Sequence, residues 1–414
     1  MPTTKTGKFF LPSDTSLKIA GELKYSLDTG VYLKLFGVFP QSNFNKFQNV
    51  EIIHGEIEGN QVVTLFKNLE LARKGIFSSI ESSTYHCALL IIGGWFDGDH
   101  DLKFISLKAT IPALDLWYNT SRAIKHIDKS IHYEYPESCS IQLEKRTELK
   151  LNPRYIISAN RKYSGITSTL DLIFTTTRKI HIKDLLTQLD AFQKFLILTT
   201  QRPIFPTEVG GRFKIGRKKK EYPVNFCYEL TYYNKNEKYN RFIFTYEQIQ
   251  EHVPTLIANW YNLTNEIRPV LNSFFSVFTG KSYYDDKFLN VARAIEGFYK
   301  HKRKRKATFI ECMIGVYEES RRGFNHLLKI RSKNKFCMEV YNFRNELTHH
   351  NLDHDVLNRI SRENRLFEIT ESLILIFTCQ LMLEIGFSIN EVRKLVENPA
   401  MFQAVRKDKY GINI

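Results

Sequence analysis

Residues 336–350, FCMEVYNFRNELTHH, decide how the second half of the chain folds. Four apolar residues in this stretch recur at spacings of four, three and four and form one stripe along a helix: Phe336, Val340, Phe343 and Leu347. Such a stripe predicts an amphipathic helix that packs one side into a core. We therefore expect the second half of the chain to be built from packed helices.

The polar residues of the same stretch form a candidate active site at the end of that helix. Asn345 and His349 are four residues apart, so they share a face that adjoins the apolar stripe. Arg344 lies about 140° around the helix from His349. Its long side chain can still reach the same cleft, because the helix is expected to end near His350.

These three residue types suit cleavage of RNA without a metal ion. Near neutral pH, histidine can take the proton of a ribose 2′-hydroxyl or donate one to the leaving 5′-oxygen. An arginine stabilises the negative charge of the transition state through paired hydrogen bonds, and an asparagine can orient the imidazole or the phosphate. We hypothesise a site of Arg344, Asn345 and His349 that leaves 2′,3′-cyclic phosphate and 5′-hydroxyl ends.

An arginine five residues before a histidine is by itself a weak signal. The spacing occurs again at Arg321 and His326, where no asparagine follows the arginine and the helix is expected to continue past His326. We interpret that second match as a solvated helix face. At Arg344 the asparagine, the apolar stripe and the helix end occur together, which favours function. The alternative for His349 is a polar helix end beside a buried surface.

Helical periodicity extends outward from this stretch and begins near Tyr246. Proline is nearly absent from this region, and the turn signals fall between the periodic segments. The segments predicted to be helical are 246–279, 286–300, 307–330, 335–350, 354–385 and 388–397. We place a domain boundary near residue 245, which gives domains 1–245 and 246–414.

The first half of the chain predicts a β-rich domain. Turn signals at residues 28–30 and 58–60 separate runs in which apolar and polar residues alternate. One helix is predicted between Ile182 and Leu198. The expected fold class is α+β, a β-sandwich or β-barrel followed by an all-α bundle. The runs predicted as strands are Leu17–Phe39 (as a hairpin), Val50–Ile57, Val62–Phe66, Tyr85–Ile92, Leu102–Ile111, Ser140–Leu151, Ser168–Thr176, Val224–Tyr232 and Arg241–Thr245.

The charge of the chain favours a polyanionic partner. Its 414 residues carry a formal net charge of +15, which favours binding to nucleic acid or to an anionic membrane surface; a generic basic surface is the alternative. The longest apolar run, Leu373–Leu383, is shorter than the about 20 residues that a bilayer span needs. It predicts a buried core helix. We therefore expect nucleic acid rather than membrane as the partner.

The N-terminus and the cysteines indicate the compartment. The first residues, MPTTKTGKFFLPSD, lack the apolar region of a signal peptide. The six cysteines are widely spaced, with no C-x-x-C pair, and are expected to be buried free thiols. A cytoplasmic protein is expected.

Three stretches resemble the HEPN superfamily, and in particular the ApeA-like anti-phage HEPN proteins. The hexapeptide RNELTH at 344–349 matches the R-N-x-x-x-H motif of that family. The stretch FLNVARAIEGFYK at 288–300 is similar to the family helix that places a glutamate before an aromatic residue. The stretch GELKYSLDTGVYLKLFG at 21–37, with Trp117 further on, resembles the β-rich N-terminal domain of ApeA-like proteins.

The resemblance implies a cytosolic endoribonuclease that acts in abortive infection and requires neither a metal nor another cofactor. It also implies a homodimer whose two motifs face each other across one cleft, so that two histidines serve acid–base cleavage. The N-terminal domain would then be the sensor or regulator that responds to a phage trigger. Transfer RNA, messenger RNA and bulk RNA all remain open as substrates.

Further residues are candidates for supporting roles. Glu296 is expected to orient Arg344 or His349, or to be an ordinary surface carboxylate. The basic run Lys302, Arg303, Lys304, Arg305 and Lys306 is expected to guide RNA through phosphate contacts, or to be a solvated loop between helices. The same two interpretations apply to Lys218–Lys220, and His350 is expected to face solvent. No metal site is expected at His349, His350, Asp353, His354 and Asp355, which lack a recognised ligand spacing.

The main rival function is a nucleic-acid-binding or regulatory module whose HEPN fold has lost catalysis. Such a binder tolerates loss of His349, whereas a nuclease does not. A nucleotidyl-transfer partner and an antitoxin-regulated toxin are further alternatives.

Overall fold

The computed structural model shows an antiparallel β-rich unit and a helical unit. The residues that it describes are 2–39, 47, 49–76, 79–119, 124–127, 130–134, 137–144, 146–159, 164–215, 220–230, 239, 242–280, 283–325, 327–328, 330, 332–349 and 356–397.

The strands occur in the first 227 residues. They are β1 (Thr3–Leu11), β2 (Asp14–Ser26), β3 (Gly30–Leu35), β4 (Asn49–Ile57), β5 (Gln61–Ile76), β6 (Ser79–Ile92), β7 (Lys103–Thr110), β8 (Ile124–Ile127), β9 (Ser130–Tyr133), β10 (Cys139–Glu144), β11 (Thr147–Ala159), β12 (Ser164–His181), β13 (Glu208–Ile215) and β14 (Lys220–Cys227).

The helices occur mostly in the second half of the chain. They are α1 (Pro112–Tyr118), α2 (Ile182–Thr200), α3 (Tyr246–Ile249), α4 (Val253–Thr279), α5 (Tyr284–Lys302), α6 (Phe309–Phe324), α7 (Lys333–His349), α8 (Val356–Ile385) and α9 (Ile389–Glu397).

Six of the strands close into a barrel. Their order is β6-β3-β2-β1-β4-β5, and β5 pairs again with β6, so the ring is complete. Alternate residues along these strands point inward and are fully buried, among them Phe9, Leu33 and Leu65. Closure leaves this part of the sheet without an open edge. Between the predicted alternatives of sandwich and barrel, the structure shows the barrel.

Six more strands extend the same sheet from the barrel. β14 pairs with the end of β6, and the order continues β13-β7-β12-β11-β10. All of these pairings are antiparallel. A separate two-stranded sheet is formed by β8 and β9. The predicted α+β class, with a β-rich N-terminal part and a helical C-terminal part, is confirmed.

The two compact units are not separated at a single point of the chain. The β-rich unit contains Met1–Asp115, Thr120–Asp190 and Phe205–Glu237. The helical unit contains Leu116–Asn119, Ala191–Ile204 and Lys238–Ile414. Within the helical unit, the Trp260 indole on α4 donates a 2.7 Å hydrogen bond to the Ala191 carbonyl of α2. The C-terminal half of α2 is thereby part of the helical core.

Helix α8 buries most of its C-terminal part in the helical unit. By length and composition, its segment Arg362–Ile385 could cross a membrane. However, 78% of the most apolar stretch of this segment is buried inside the protein. The expectation of a buried core helix at Leu373–Leu383 is confirmed. The expectation that this apolar segment is too short to cross a bilayer is wrong. The apolar segment begins at Arg362, well before Leu373, and is therefore longer than the run Leu373–Leu383.

Two predicted strands differ from the structure. The run Ser140–Leu151 forms two strands, β10 and β11, which pair as a hairpin. Residues 242–245 are not in a strand, although Phe242, Ile243 and Phe244 are buried. The backbone of Phe244 accepts a hydrogen bond of 3.0 Å from the indole of Trp117. A short apolar run signals burial without distinguishing a strand from a packed loop, which explains the error.

Three further predictions need correction. The predicted helix 246–279 is broken at residues 250–252 into α3 and α4. The predicted strand Val224–Tyr232 begins and ends earlier, as β14. The predicted helix 307–330 ends at Phe324, where α6 stops, so the helix does not continue past His326. His326 itself lies outside the described residues.

Candidate active site

Helix α7 holds the predicted motif at its C-terminal end. Phe336, Val340 and Leu347 are buried, and Phe343 is half-buried, so the predicted apolar stripe is the side that packs into the helical unit. Arg344 and Asn345 are half-buried at the margin of that stripe. His349 is the last residue of α7; the structure describes its backbone but not its side chain.

The Arg344 guanidinium lies between α5 and α6. Its Nη2 is 3.6 Å from Oε2 of Glu296 on α5, and its Cζ is 5.0 Å from the centroid of the Phe309 ring on α6. At 3.6 Å the carboxylate attracts the guanidinium but is too distant for a hydrogen bond. The side chain is 36% exposed. The arginine is thus oriented by its neighbours while its N–H groups remain available to a phosphate.

Glu296 bridges two cations. Its Oε1 accepts a hydrogen bond of 2.6 Å from Nζ of Lys300, one turn further along α5, and this bond raises the pKa of Lys300. The Glu296 side chain is 18% exposed. The structure therefore brings Glu296 and Arg344 together. Lys300 was not selected from the sequence, although its spacing of four residues from Glu296 is the signal for such a pair.

Asn345 follows Arg344 on α7 and is half-buried. At the end of the helix, the Thr348 hydroxyl donates a 2.6 Å hydrogen bond to the Arg344 carbonyl. Such a bond from a threonine hydroxyl to the carbonyl four residues earlier is common within helices. The R-N-x-x-x-H motif occupies the C-terminal end of α7. His350, Asp353, His354 and Asp355 lie outside the described residues.

The basic run 302–306 divides into two parts. Three of its members pair with carboxylates of the helical unit: Lys302 with Glu266 at 2.7 Å, Arg303 with Glu319 at 3.0 Å and also with Glu384, and Lys304 with Glu311 at 2.8 Å. Arg305 and Lys306 are exposed and have no ion pair with any residue that the structure describes. Those two cations are the ones that remain free for phosphate.

The other candidate sites have fewer features that indicate a function. Arg321 pairs with Glu318 at 3.3 Å, as expected of a solvated helix face. Lys220 is in β14 with its Nζ 5.4 Å from the centroid of the Tyr222 ring, while residues 217–219 lie outside the described part. Among the described residues, no group of three or more His, Cys, Asp and Glu side chains converges as a metal site would require.

Thiol chemistry is not available near the motif. None of the six cysteines forms a disulfide; five of them are buried, and Cys139 is half-buried. Burial raises the pKa of Cys312 on α6 to about 11, and burial does the same for Cys337 on α7. Both thiols are therefore protonated near neutral pH, and a protonated thiol is a poor nucleophile.

The fold and the motif define a two-unit protein in which a β-barrel precedes a helical bundle with an Arg-Asn pair at a helix end. The family model ApeA N-terminal domain 1 matches residues 4–260, and the model Apea-like HEPN matches residues 289–391. The chain belongs to the ApeA-like HEPN family of anti-phage proteins. No curated protein and no solved structure gives a significant match.

The HEPN match includes every residue of the candidate site. It begins within α5, before Glu296, and ends within α9, so it spans the R-N-x-x-x-H motif of α7. HEPN domains are generally nucleases that dimerise and act on RNA. The family assignment therefore gives the helical unit a coarse function, RNA-directed and related to anti-phage defence.

Proposed function

We propose that this protein is a metal-independent endoribonuclease that acts in anti-phage defence by abortive infection. The observation that carries the proposal is the Arg344 guanidinium, which is oriented by Glu296 and Phe309 yet makes no hydrogen bond to a described residue. Asn345 follows it, and His349 ends the same helix. An oriented arginine with free N–H groups beside a histidine matches the needs of phosphate cleavage.

The proposed reaction needs no group beyond these side chains. A neutral His349 removes the proton from a ribose 2′-hydroxyl, whose oxygen then attacks the adjacent phosphorus. The bond to the leaving 5′-oxygen breaks, and a second, protonated histidine donates a proton to that oxygen. The products are a 2′,3′-cyclic phosphate and a 5′-hydroxyl. A homodimer formed through the helical unit supplies the second histidine from the motif of the other copy.

Arg344 and Asn345 have separate roles in this scheme. Two N–H groups of Arg344 donate to the non-bridging phosphate oxygens, which gain negative charge in the transition state. The Asn345 amide orients either the imidazole or the phosphate. Glu296 does not contact the substrate; it positions Arg344 from α5 while Lys300 balances the charge of its carboxylate.

The basic run serves this function through its two free members. Arg305 and Lys306 are exposed beside the start of α6, and they are proposed to contact RNA phosphates. Lys302, Arg303 and Lys304 are mainly structural, because each pairs with a carboxylate. The proposed substrate is cytoplasmic RNA, with tRNA among the candidates.

The N-terminal domain, residues 1–245, is proposed to regulate the nuclease domain, residues 246–414. Its barrel contains no catalytic motif, but the β-rich unit has a cavity of about 480 Å³ lined by residues that include Ser26, Asp28, Glu208 and Asn225. A cavity of this size can hold a small ligand or a peptide segment. A phage-derived trigger that binds the β-rich unit would then control cleavage.

The decisive test is cleavage of total cellular RNA by the purified full-length protein in excess EDTA, beside the variant His349→Ala. We expect cleavage by the wild type alone, with a thermal unfolding curve that the substitution does not change. Full activity in His349→Ala would overturn the assignment. The matched control is Arg321→Ala on α6, the arginine of the second motif match, which we expect to remain active.

The same assay separates the rival function. If neither protein cleaves RNA, the alternatives are a repressed enzyme that awaits its trigger and a HEPN module that only binds nucleic acid. Repeating the assay with lysate from phage-infected cells distinguishes them, because a repressed enzyme then becomes active and a binding module does not. Mapping the RNA ends in the active case tests the predicted 2′,3′-cyclic phosphate.

A further inference from the structure

A second arginine lies beside the active end of α7, on the neighbouring helix α8. Nη2 of Arg362 is 3.2 Å from Oε2 of Glu346, and its Cζ is 6.0 Å from the centroid of the Phe343 ring. The side chain is 22% exposed. Glu346 and His349 are three residues apart on α7, so they share a face of that helix. Arg362 therefore reaches α7 next to the face that carries the motif.

The hydrogen-bonding state of Arg362 is unusual. Its Nε and Nη2 are buried, and neither has a hydrogen-bond partner among the described residues. The contact with Glu346 is thus an ion pair at close distance without the geometry of a hydrogen bond. A buried N–H group without an acceptor is unfavourable, and such groups in folded proteins call for an explanation.

Arg365, three residues further along α8 and more exposed, shows how an arginine on the same helix is satisfied. Its Nε and Nη2 each donate a 2.7 Å hydrogen bond to one oxygen of Glu339, and its Nη1 donates to Glu368. Both arginines reach from α8 toward a glutamate of α7. That edge of the guanidinium is fully hydrogen-bonded in Arg365, whereas in Arg362 it forms an ion pair but no hydrogen bond.

We propose that Arg362 is a second phosphate-binding residue of the site, and that an RNA phosphate takes the place of Glu346 as its partner. The inference rests on the proposed ribonuclease function. The Nε and Nη2 groups point in parallel from one edge of the guanidinium, and that edge fits two oxygens of a phosphate. Arg344 is held from the side of α5 and α6, and Arg362 from α8, so the two approach the motif from different helices.

Glu346 has a defined part in this proposal. In the free protein its carboxylate partly neutralises Arg362, and it competes with the phosphate for the guanidinium. Removing the negative charge should therefore strengthen RNA binding. A purely structural pair between Glu346 and Arg362 predicts the opposite, because its loss would loosen the end of α7 and weaken the site.

Binding is measured with full-length protein that carries His349→Ala, so that the RNA stays intact. The probe is a short, fluorescently labelled single-stranded RNA in excess EDTA, titrated at several salt concentrations. We expect Arg362→Gln to raise Kd about tenfold. We also expect the plot of log binding constant against log salt concentration to become less steep by about one unit, the contribution of one phosphate contact. We expect Glu346→Gln to lower Kd, and Arg362→Lys to fall between the wild type and Arg362→Gln.

The matched control is Arg365→Gln, which removes an equal charge from the same helix. Its Kd is expected to stay within about twofold of the parent, since its guanidinium is already engaged. Equal effects of Arg362→Gln and Arg365→Gln would overturn the proposal, because both would then report only the net charge. A rise in Kd for Glu346→Gln would overturn it as well. If Arg362→Gln fails to fold, Glu346→Gln and Arg362→Lys decide the question.

Cleavage kinetics separate this inference from the function on which it rests. With His349 restored, we expect Arg362→Gln to raise KM more than it lowers kcat, as loss of a binding contact should. Wild-type cleavage that depends on His349, with an unchanged KM in Arg362→Gln, would overturn the role of Arg362 alone. Absence of cleavage even with infected-cell lysate, together with Arg362-dependent binding, would overturn the nuclease and retain the phosphate contact.

Discussion

At the scale of single residues, the geometry of the Arg344 guanidinium matters more than its charge. Its Cζ lies 5.0 Å from the centroid of the Phe309 ring, and its Nη2 lies 3.6 Å from a carboxylate oxygen of Glu296. A lysine at this position keeps the charge but donates from a single point and cannot form two parallel hydrogen bonds. We expect Arg344→Lys to lower kcat roughly 100-fold, in line with the loss of an oriented donor at a transition state.

Single-turnover cleavage of a labelled RNA measures this effect of Arg344→Lys. The control is Arg321→Lys on α6, which replaces an arginine whose described ion pair is with Glu318 and which is expected to leave kcat unchanged. Full activity in Arg344→Lys would show that charge alone suffices at this position. It would contradict the proposal that two N–H groups of Arg344 donate to the phosphate.

The sequence was sufficient to select Arg344, Asn345 and Glu296 but not their surroundings. The four-residue periodicity of a helix is local, so the face that carries Asn345 could be derived from spacing alone. Phe309 and Arg362 approach the motif from α6 and α8. Such contacts depend on how helices pack, which no local pattern encodes. The roles of the residues remain predictions that the assays above test.

At the scale of elements, a glycine in β4 determines how the barrel interior is filled. Gly55 pairs with Phe9 of β1 on one side and with Val63 of β5 on the other. A Cβ on Gly55 would lie 2.6 Å from the Phe9 ring and 2.9 Å from a methyl group of Val63. Phe9 is fully buried in a closed barrel, so its ring has no space into which it can move.

We expect Gly55→Ala to destabilise the β-rich unit by about 1–3 kcal/mol, the usual effect of overpacking a core. Chemical denaturation followed by circular dichroism measures the change. The double variant Gly55→Ala with Phe9→Leu should recover part of the loss, because the smaller side chain makes room for the methyl group. Strictly additive effects of the two substitutions would contradict this account.

Most strands and helices were predictable from their periodicity, whereas the turn between β10 and β11 and the loop at 242–245 were not. The helix predicted at Ile182–Leu198 is confirmed as α2, and both hairpin turns were placed correctly. The turn in the run Ser140–Leu151 was missed, since alternation continues on both sides of it. Phe242–Phe244 is apolar because it is buried in the helical unit, and burial alone does not specify a ladder of hydrogen bonds.

At the scale of the whole molecule, the order of elements along the chain gave the class of fold, but the closure of the sheet did not follow from it. Closure depends on the pairing of β5 with β6, which also continues to β3 and β14. A strand with several partners has no signature in its own sequence. The sequence also does not indicate that the two units share the chain in alternating segments. Ala191–Ile204 belongs to the helical unit, although it follows strands of the β-rich unit along the chain.

The stability of the molecule should depend on pH through the half-buried carboxyl of Asp115, which lies in α1 and ends the first segment of the β-rich unit. Burial raises the pKa of Asp115 to about 6, although its Oδ1 accepts a hydrogen bond of 2.5 Å from the Leu170 amide; the nearby carboxylate of Asp171 adds to the rise. Because the pKa is raised on folding, the folded state favours the neutral acid. This contribution to stability is complete below the unfolded pKa near 4 and is lost as pH rises through 6.

We therefore expect Asp115→Asn to be more stable than the wild type at pH 7, by up to about 3 kcal/mol for a pKa shift of about two units. The amide oxygen of asparagine can still accept from the Leu170 amide, and it carries no charge at any pH. The free energy of unfolding of both proteins, measured at intervals between pH 4 and pH 7, gives the difference directly. That difference should grow with pH and level off above 6. A constant difference across the range would show that Asp115 titrates alike in the folded and unfolded states.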